Sequence, residues 1–329
     1  MYDLTFNPEK YEIKTCEVGD RSITYRAFEH IVYCANPASK IQTLNIYVLE
    51  EYYNGKTING YSLNTAPIFA PNTVGGYMEG PAMEVGIDQF NHKPNSAFEA
   101  LLHGYVVMCA GIRGRNTGMH SKEFFVGGTG KENTENQEKR SGRAPALIVD
   151  MKAAIRYMRH NAKTVPGDVE KIITNGTSAG GALSALAGAT GNAKEYEYYL
   201  KAIGAAEERD DIFAASCYCP IHNLEHADAA YEWLFQKEPV FHMMKFEMSP
   251  KGPKMIPVVG ELSEEQKKLS AELKAEFPAY VNSLGLRDDN GTELTLEENG
   301  EGTFKDYVMS FVSASAKKEK ETHDTSVRL

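Results

Sequence analysis

Long apolar runs are missing from this sequence of 329 residues. None approaches the roughly 20 consecutive apolar residues that a membrane-spanning helix needs. Met1 to Lys10 lack a basic segment followed by an apolar one, so no secretory leader is read there. Basic charge is outnumbered: 35 Lys and Arg against 45 Asp and Glu give a net charge of −10. That balance argues against a nucleic-acid or anionic-membrane partner, both of which favour basic surfaces. Cysteine is sparse, with five residues lacking the spacing of a disulfide scaffold or a zinc site. Cys217 and Cys219 alternate on what reads as a buried strand and Cys109 lies inside another, so small core residues are expected there. These shortages point to a cytoplasmic protein.

What remains is ordinary globular material, 42% hydrophobic, in a chain long enough for one large α/β domain or a domain with an inserted cap. Strands are expected over 22–32 and 41–49. In the second, Leu44, Ile46 and Val48 alternate with polar neighbours as in a half-buried antiparallel strand. Ile68 to Ala70 is a short apolar strand leading into Pro71-Asn72-Thr73-Val74-Gly75-Gly76-Tyr77. Tyr105 to Ala110 is continuously apolar, as suits a parallel strand covered on both faces. Leu147 to His160 carries Leu147, Met151, Ala154, Ile155 and Met158 on one helical stripe. A further buried strand is expected over 212–219. Strands separated by helices predict a mostly parallel sheet with helices on both faces.

Residues 116–143 are polar, rich in glycine and without periodicity, and read as a surface loop at the rim of a site. From about His222 the pattern turns mainly helical. Ser263 with Gln266 is a capping-box pair, Leu269, Leu273 and Phe277 form an apolar stripe, Asn290-Gly291 marks a turn, and 303–320 reads as a helix. The expected organisation is a core over 1–222 and a cap insertion with a polar tail over 223–329. No strand is expected after the cap.

The segment Lys171 to Asn192, KIITNGTSAGGALSALAGATGN, carries the chemistry. A β-branched strand end is followed by Gly176-Thr177-Ser178-Ala179-Gly180 and then by an Ala- and Leu-rich helix over 179–189, with Leu183 and Leu186 on one face. That order makes a nucleophile elbow: a sharp turn holds Ser178 strained, and glycines flank it where a Cβ would collide. The Ala179 N–H is left to donate to an oxyanion. Gly75-Gly76 follows an earlier strand, where a backbone lacking Cβ atoms can approach a substrate carbonyl and supply the second donor; a plain tight turn is the alternative.

Acyl transfer by serine also needs a histidine base oriented by an acid. After Ser178 come His222, His226, His242 and His323. His226 with Asp228 precedes the strands that normally carry the pair in this fold, and reads better as a packing residue at a helix start. His323 and Asp324 sit in a polar tail and read as solvated.

Five stretches resemble the bacterial subtype-B tannases, serine esterases of the α/β-hydrolase fold that cleave galloyl esters. These are PNTVGGY (71–77), AGIRGR (110–115), APALIVDMKAAIRY (144–157), the elbow block 171–192, and CPIHNLEHADAAYEW (219–233). Weaker similarity continues to about Val312. The resemblance implies Ser178 as nucleophile with Gly76 and Ala179 as the oxyanion hole, and no metal or organic cofactor. Members of that family are longer, and their acid, histidine and galloyl-gripping residues lie mostly beyond the equivalent of Leu329. The expectation is therefore an incomplete α/β-hydrolase lacking its final strands, with its own C-terminal segment as a partner in trans.

Three functions stay open. The first is a carboxylesterase acting on galloyl, that is phenolic, esters through an acyl-enzyme on Ser178. The second keeps the chemistry with feruloyl or other aryl esters. The third is a non-catalytic hydrolase-like fragment lacking its base and acid. Arg113 and Arg115 are expected in ion pairs that pin their loop, and Tyr231 and Trp233 in core or cap contacts.

Overall fold

A computed structural model describes residues 1–88, 92–118, 140–249 and 252–322. Of the loop expected over 116–143, residues 119–139 lie outside the described set, as do His323 and Asp324. The chain divides into two compact units, Met1–His222 and Asn223–Leu329.

The first unit contains β1 (Glu12–Val18), β2 (Arg21–Val32), β3 (Thr43–Leu49), α1 (Glu50–Tyr53), β4 (Pro67–Pro71), α2 (Ser96–Leu102), β5 (Val106–Ala110), α3 (Ala146–His160), β6 (Asp168–Thr177), α4 (Ala179–Ala189), α5 (Glu197–Ala202) and β7 (Ala214–Tyr218). Its strands form one seven-stranded sheet in the order β1-β2-β3-β5-β4-β6-β7. The first three strands and the β3–β5 pair are antiparallel, whereas β5, β4, β6 and β7 run parallel. This is the mostly parallel α/β sheet anticipated from the alternation of strands and helices. Parallel neighbours need crossovers, and the helices preceding β5 and β6 and following β6 supply them.

Burial refines several expectations. β3 is covered on both faces, with every residue from Leu44 to Leu49 buried, so its polar alternation did not signal a solvated side. Asn45 explains the disguise: its side chain lies inside the fold, accepting from His30 N–H at 3.0 Å and donating to the Tyr47 hydroxyl at 3.0 Å. β1 was not anticipated; it is a partly exposed terminal strand whose apolar face carries few large residues. On α4, Leu183 is buried but Leu186 is exposed, because three residues turn the helix by about 300° and the contact face there is narrow. β7 is only half-buried. It is last in the sheet order and pairs with β6 alone among the described strands. Cys217 is accordingly half-buried and Cys219 exposed, contrary to their expected place in the core, while Cys109 is fully buried.

Buried charge ties the helical layer to the sheet. Lys152 and Arg156, one turn apart on α3, both reach Asp210 in the segment before β7, at 2.6 Å each. Asp210 also accepts the Asn192 N–H at 2.8 Å, so α3 is joined to the chain beyond α4. Lys152 and Asp210 are almost wholly removed from solvent.

In the second unit, α6 (Leu224–Phe235) is followed by β8 (Val240–Ser249), β9 (Gly252–Glu261), α7 (Glu264–Ser283) and α8 (Thr303–Thr322). β8 and β9 pair as an antiparallel hairpin in a segment expected to be mainly helical. The capping box is present: Ser263 accepts the Gln266 N–H, and Gln266 accepts the Ser263 N–H. The buried stripe of α7 runs through Ser270, Phe277 and Val281 and leaves Leu269 exposed. Trp233 packs on Phe277 and Phe304 at ring separations of 5.0 and 5.7 Å and donates to Gly300 O, so it belongs to this small core. Tyr231 is exposed and rests on Phe235. No helix among the described residues is long and apolar enough to cross a membrane.

Replacing Asp210 by Ala leaves the buried Lys152 ammonium without its carboxylate and Arg156 with Glu197 alone. Chemical denaturation is expected to show a loss of about 3–5 kcal/mol. Glu170, more than half exposed in its pair with Arg209, should cost less than about 1 kcal/mol on the same change.

Candidate active site

The parallel strands β4 and β6 lie side by side, with Ala70 paired to Thr174 and Pro71 to Asn175. Their carboxyl ends therefore emerge together. In an open α/β sheet this is the edge where loops gather into a site. The β6 end delivers Ser178 and the β4 end delivers Asn72 to Tyr77.

Ser178 sits between β6 and α4 at φ 60° and ψ −121°, a conformation that costs about 1–3 kcal/mol and persists only where its surroundings enforce it. The enforcement is visible. Ser178 N–H donates to Tyr218 O at 2.9 Å, and Ser178 O accepts from Ile221 N–H at 3.1 Å and from Ala182 N–H at 3.0 Å. The strands and helix meet so closely that side chains are excluded. A Cβ at Gly176 would lie 2.3 Å from Gly180 O, and one at Gly180 would lie 2.4 Å from Asn72 Oδ1. Ala179 is the first residue of α4, so its N–H is one of those without an intrahelical acceptor, at the positive end of the helix dipole.

Asn72 is the residue that holds the two loops together, and it had no assigned role in the sequence reading. Its Nδ2 lies 2.8 Å from Asn175 O, 3.1 Å from Gly180 O and 3.1 Å from Ser184 Oγ. Its Oδ1 accepts the Val74 N–H at 3.2 Å. The legible signal was an Asn directly after a strand and before a glycine pair, where an amide side chain can bond the backbone two residues on.

The Gly75-Gly76 segment is a tight turn of a particular kind. Gly76 and Tyr77 both have positive φ, 56° and 58°, and Met78 N–H closes the turn on Gly75 O at 3.0 Å. That closure fixes the plane of the Gly75–Gly76 peptide, so the Gly76 N–H points away from the turn. Arg115, in the loop after β5, holds the other carbonyls: its Nε donates to Gly76 O at 2.9 Å and its N–H to Tyr77 O at 2.8 Å. A Cβ on Gly114 would come within 2.1 Å of the Met78 carbonyl carbon, a measure of how tightly the two loops abut.

The two arginines of the IRGR stretch divide their work. Arg113 is buried and paired with Asp150 of α3 at 2.7 Å, as an ion-pair anchor would be. It also donates to Ser141 O, and Gln42 Nε2 adds a further bond to Asp150 at 2.8 Å. Arg115, by contrast, is exposed and grips backbone carbonyls.

Among the histidines, none of those described in the first unit hydrogen-bonds Ser178 Oγ. His222 is exposed. His226 lies in the first turn of α6 and stacks on Tyr280 at 3.7 Å and 15°, and Asp228 is exposed. Stacking on a tyrosine fits the packing role at a helix start. The arrangement in hand thus contains a strained serine, a helix N-terminal N–H without an intrahelical acceptor and a turn whose peptide plane is fixed by hydrogen bonds.

Comparison with known proteins gives this geometry a relative. A family model described as BD-FAE matches residues 116–232. The tannase of Fusobacterium nucleatum is 46% identical, with a TM-score of 0.86 over 99% of this chain and 66% of that one. The tannase of Lactobacillus plantarum is 44% identical, with a TM-score of 0.85 over 97% of this chain and 66% of its own. The chain belongs to the bacterial tannase family. A tannin acyl hydrolase solved in complex with ethyl gallate is also 44% identical, at a TM-score of 0.80 over 98% of this chain. Residues 1–329 span about two thirds of the length of these tannase structures. No curated protein matches the chain.

Asn72→Ala should lower the unfolding free energy by about 1–3 kcal/mol, because the N–H of buried Val74 loses its side-chain acceptor and the amide's bonds to the elbow are lost with it. Denaturant titration of the purified chain checks this, and a change within 0.5 kcal/mol, roughly what surface substitutions show, would refute the bridging role.

Proposed function

We propose that the protein hydrolyses galloyl, that is phenolic, esters through an acyl-enzyme on Ser178. The observation that carries this reading is the enforced backbone of Ser178 at the N-terminus of α4. A chain with no use for a nucleophile has little reason to hold a serine in so unfavourable a conformation. The solved relative with ethyl gallate supports the choice of ester.

In this mechanism Ser178 Oγ attacks the ester carbonyl carbon while a histidine removes its proton. The carbonyl oxygen becomes an oxyanion accepting from Gly76 and Ala179, each donor contributing about 3–4 kcal/mol to the transition state. The proton passes to the departing alcohol, and the aroyl group stays on Ser178. Water, deprotonated by the same base, then attacks and releases the acid. The base and its orienting acid are taken from polypeptide corresponding to the part of the relatives that residues 1–329 do not span, whether joined to this chain or added in trans. That segment is the proposed partner. Five free cysteines and a net charge of −10 fit a reducing, cytoplasmic setting without nucleic-acid or membrane partners.

The test is acid release from methyl gallate by the chain together with the complementing segment of a relative, with methyl ferulate alongside. Turnover of the gallate ester should fall by at least about a thousandfold in Ser178→Ala while circular dichroism is unchanged. An unaltered rate in that variant would remove Ser178 from the mechanism. Faster release from methyl ferulate would replace the galloyl reading by one of cinnamoyl-type esters.

A further inference from the structure

Tyr77 stands at a backbone position that ordinarily belongs to glycine. At φ 58° it follows Gly76, also left-handed, in the turn that carries one of the two proposed oxyanion donors. Glycine adopts that conformation freely and tyrosine does not. The side chain must therefore supply something that a Gly-Gly-Gly turn would lack.

What it supplies is a connection. The Tyr77 hydroxyl donates to Ile221 O, and Ile221 N–H donates to Ser178 O at 3.1 Å. The Ser178 carbonyl belongs to the same peptide plane as the Ala179 N–H. Fixing one end of that plane fixes the other. On the opposite side of the site, the Gly75 carbonyl shares its plane with the Gly76 N–H and is fixed by Met78 N–H at 3.0 Å. Arg115 holds the next two carbonyls of the turn. Ile221 thus uses its N–H on the plane of one donor, and its carbonyl receives the residue beside the other.

We propose that Tyr77 is a positioning residue that sets the spacing of the Gly76 and Ala179 N–H donors by clamping the glycine turn to the Ile221 loop that supports the elbow. Ile221 follows β7, whose register with β6 ends at Tyr218, so the loop is held to the elbow by its own hydrogen bonds. The phenol suits the task. Burial pushes it above its ordinary pKa, so it keeps its proton and remains a donor at neutral and mildly alkaline pH. The proposal rests on the reading of Gly76 and Ala179 as an oxyanion hole.

Phenylboronic acid tests it without turnover, since a serine adduct of boron is tetrahedral and presents an oxygen where the oxyanion would be. Adduct formation is followed by boron NMR on the full chain, on Tyr77→Phe and on Ser178→Ala, with thermal unfolding of each. Tyr77→Phe should weaken the Ser178-dependent adduct about ten- to a hundredfold, because a small displacement of a donor has effects of that size, while the unfolding midpoint changes little. Amide exchange at Arg115 and Ile221, both hydrogen-bonded across the clamp, should quicken in the same variant. Adduct affinity equal to that of the parent in Tyr77→Phe would overturn the proposal. Should the parent chain form no Ser178-dependent adduct, the oxyanion-hole reading itself fails. Exchange at Arg115 and Ile221 then judges the clamp alone, and unchanged rates would refute it.

Discussion

The side chain of Asn72 is the interaction on which the site depends. It stands at the point where β4 ends, and in one planar amide it meets the last carbonyl of the β6 register, the carbonyl of Gly180 and the hydroxyl of Ser184. Remove it, and nothing in that small volume both donates to the elbow and accepts from the turn that follows β4. The glycines at 176 and 180 are consequences of this arrangement. They are small because an amide and two backbones already occupy the space that a Cβ would need. The strain at Ser178 follows in turn, since a chain that passes so close to its neighbour has few other paths.

Around that centre the fold distributes rigidity unequally. Behind the site, Arg113 with Asp150 and Lys152 and Arg156 with Asp210 lock α3 to the loop after β5 and to the segment before β7. These pairs are buried, so each partner depends on the other and the desolvation cost binds them as a set. In front of the site the contacts are single hydrogen bonds from exposed or half-buried groups, those of Arg115 and Tyr77. The helix layer is thus fixed by charge, and the turn bearing Gly76 by individual hydrogen bonds.

Much of this was legible in the sequence where local chemistry and global role coincide. The helix over 179–189 follows from its small and aliphatic residues, and the buried strand near Tyr105 from an unbroken apolar run. The capping box at Ser263 follows from the spacing of two side chains. Legibility failed where burial depends on partners far along the chain. The alternating pattern of β3 reads as half-solvated, but Asn45 and Tyr47 satisfy each other inside the fold, so both faces are covered. Cys217 and Cys219 look like core residues, but among the described strands β7 is last in the sheet order. The β8–β9 hairpin escaped because its neighbours are helical and its turn carries no Asn-Gly or Gly-Gly signal. At the proposed site, Ser178, Gly76 and Ala179 are candidates chosen from motif and position. Arg115 and Tyr77 could not, and Asn72 only through its local bond to Val74, since their other contacts span between 38 and 144 residues of sequence that no local pattern encodes.

The central claim is that this elbow is built to carry an aroyl group. It is tested most directly by acid-quenching the chain during turnover of methyl gallate, with the complementing segment of a relative present, and mapping the peptides by mass spectrometry. The account predicts one galloyl group on the peptide that contains Ser178. Turnover with that peptide unmodified and the group attached elsewhere would contradict it.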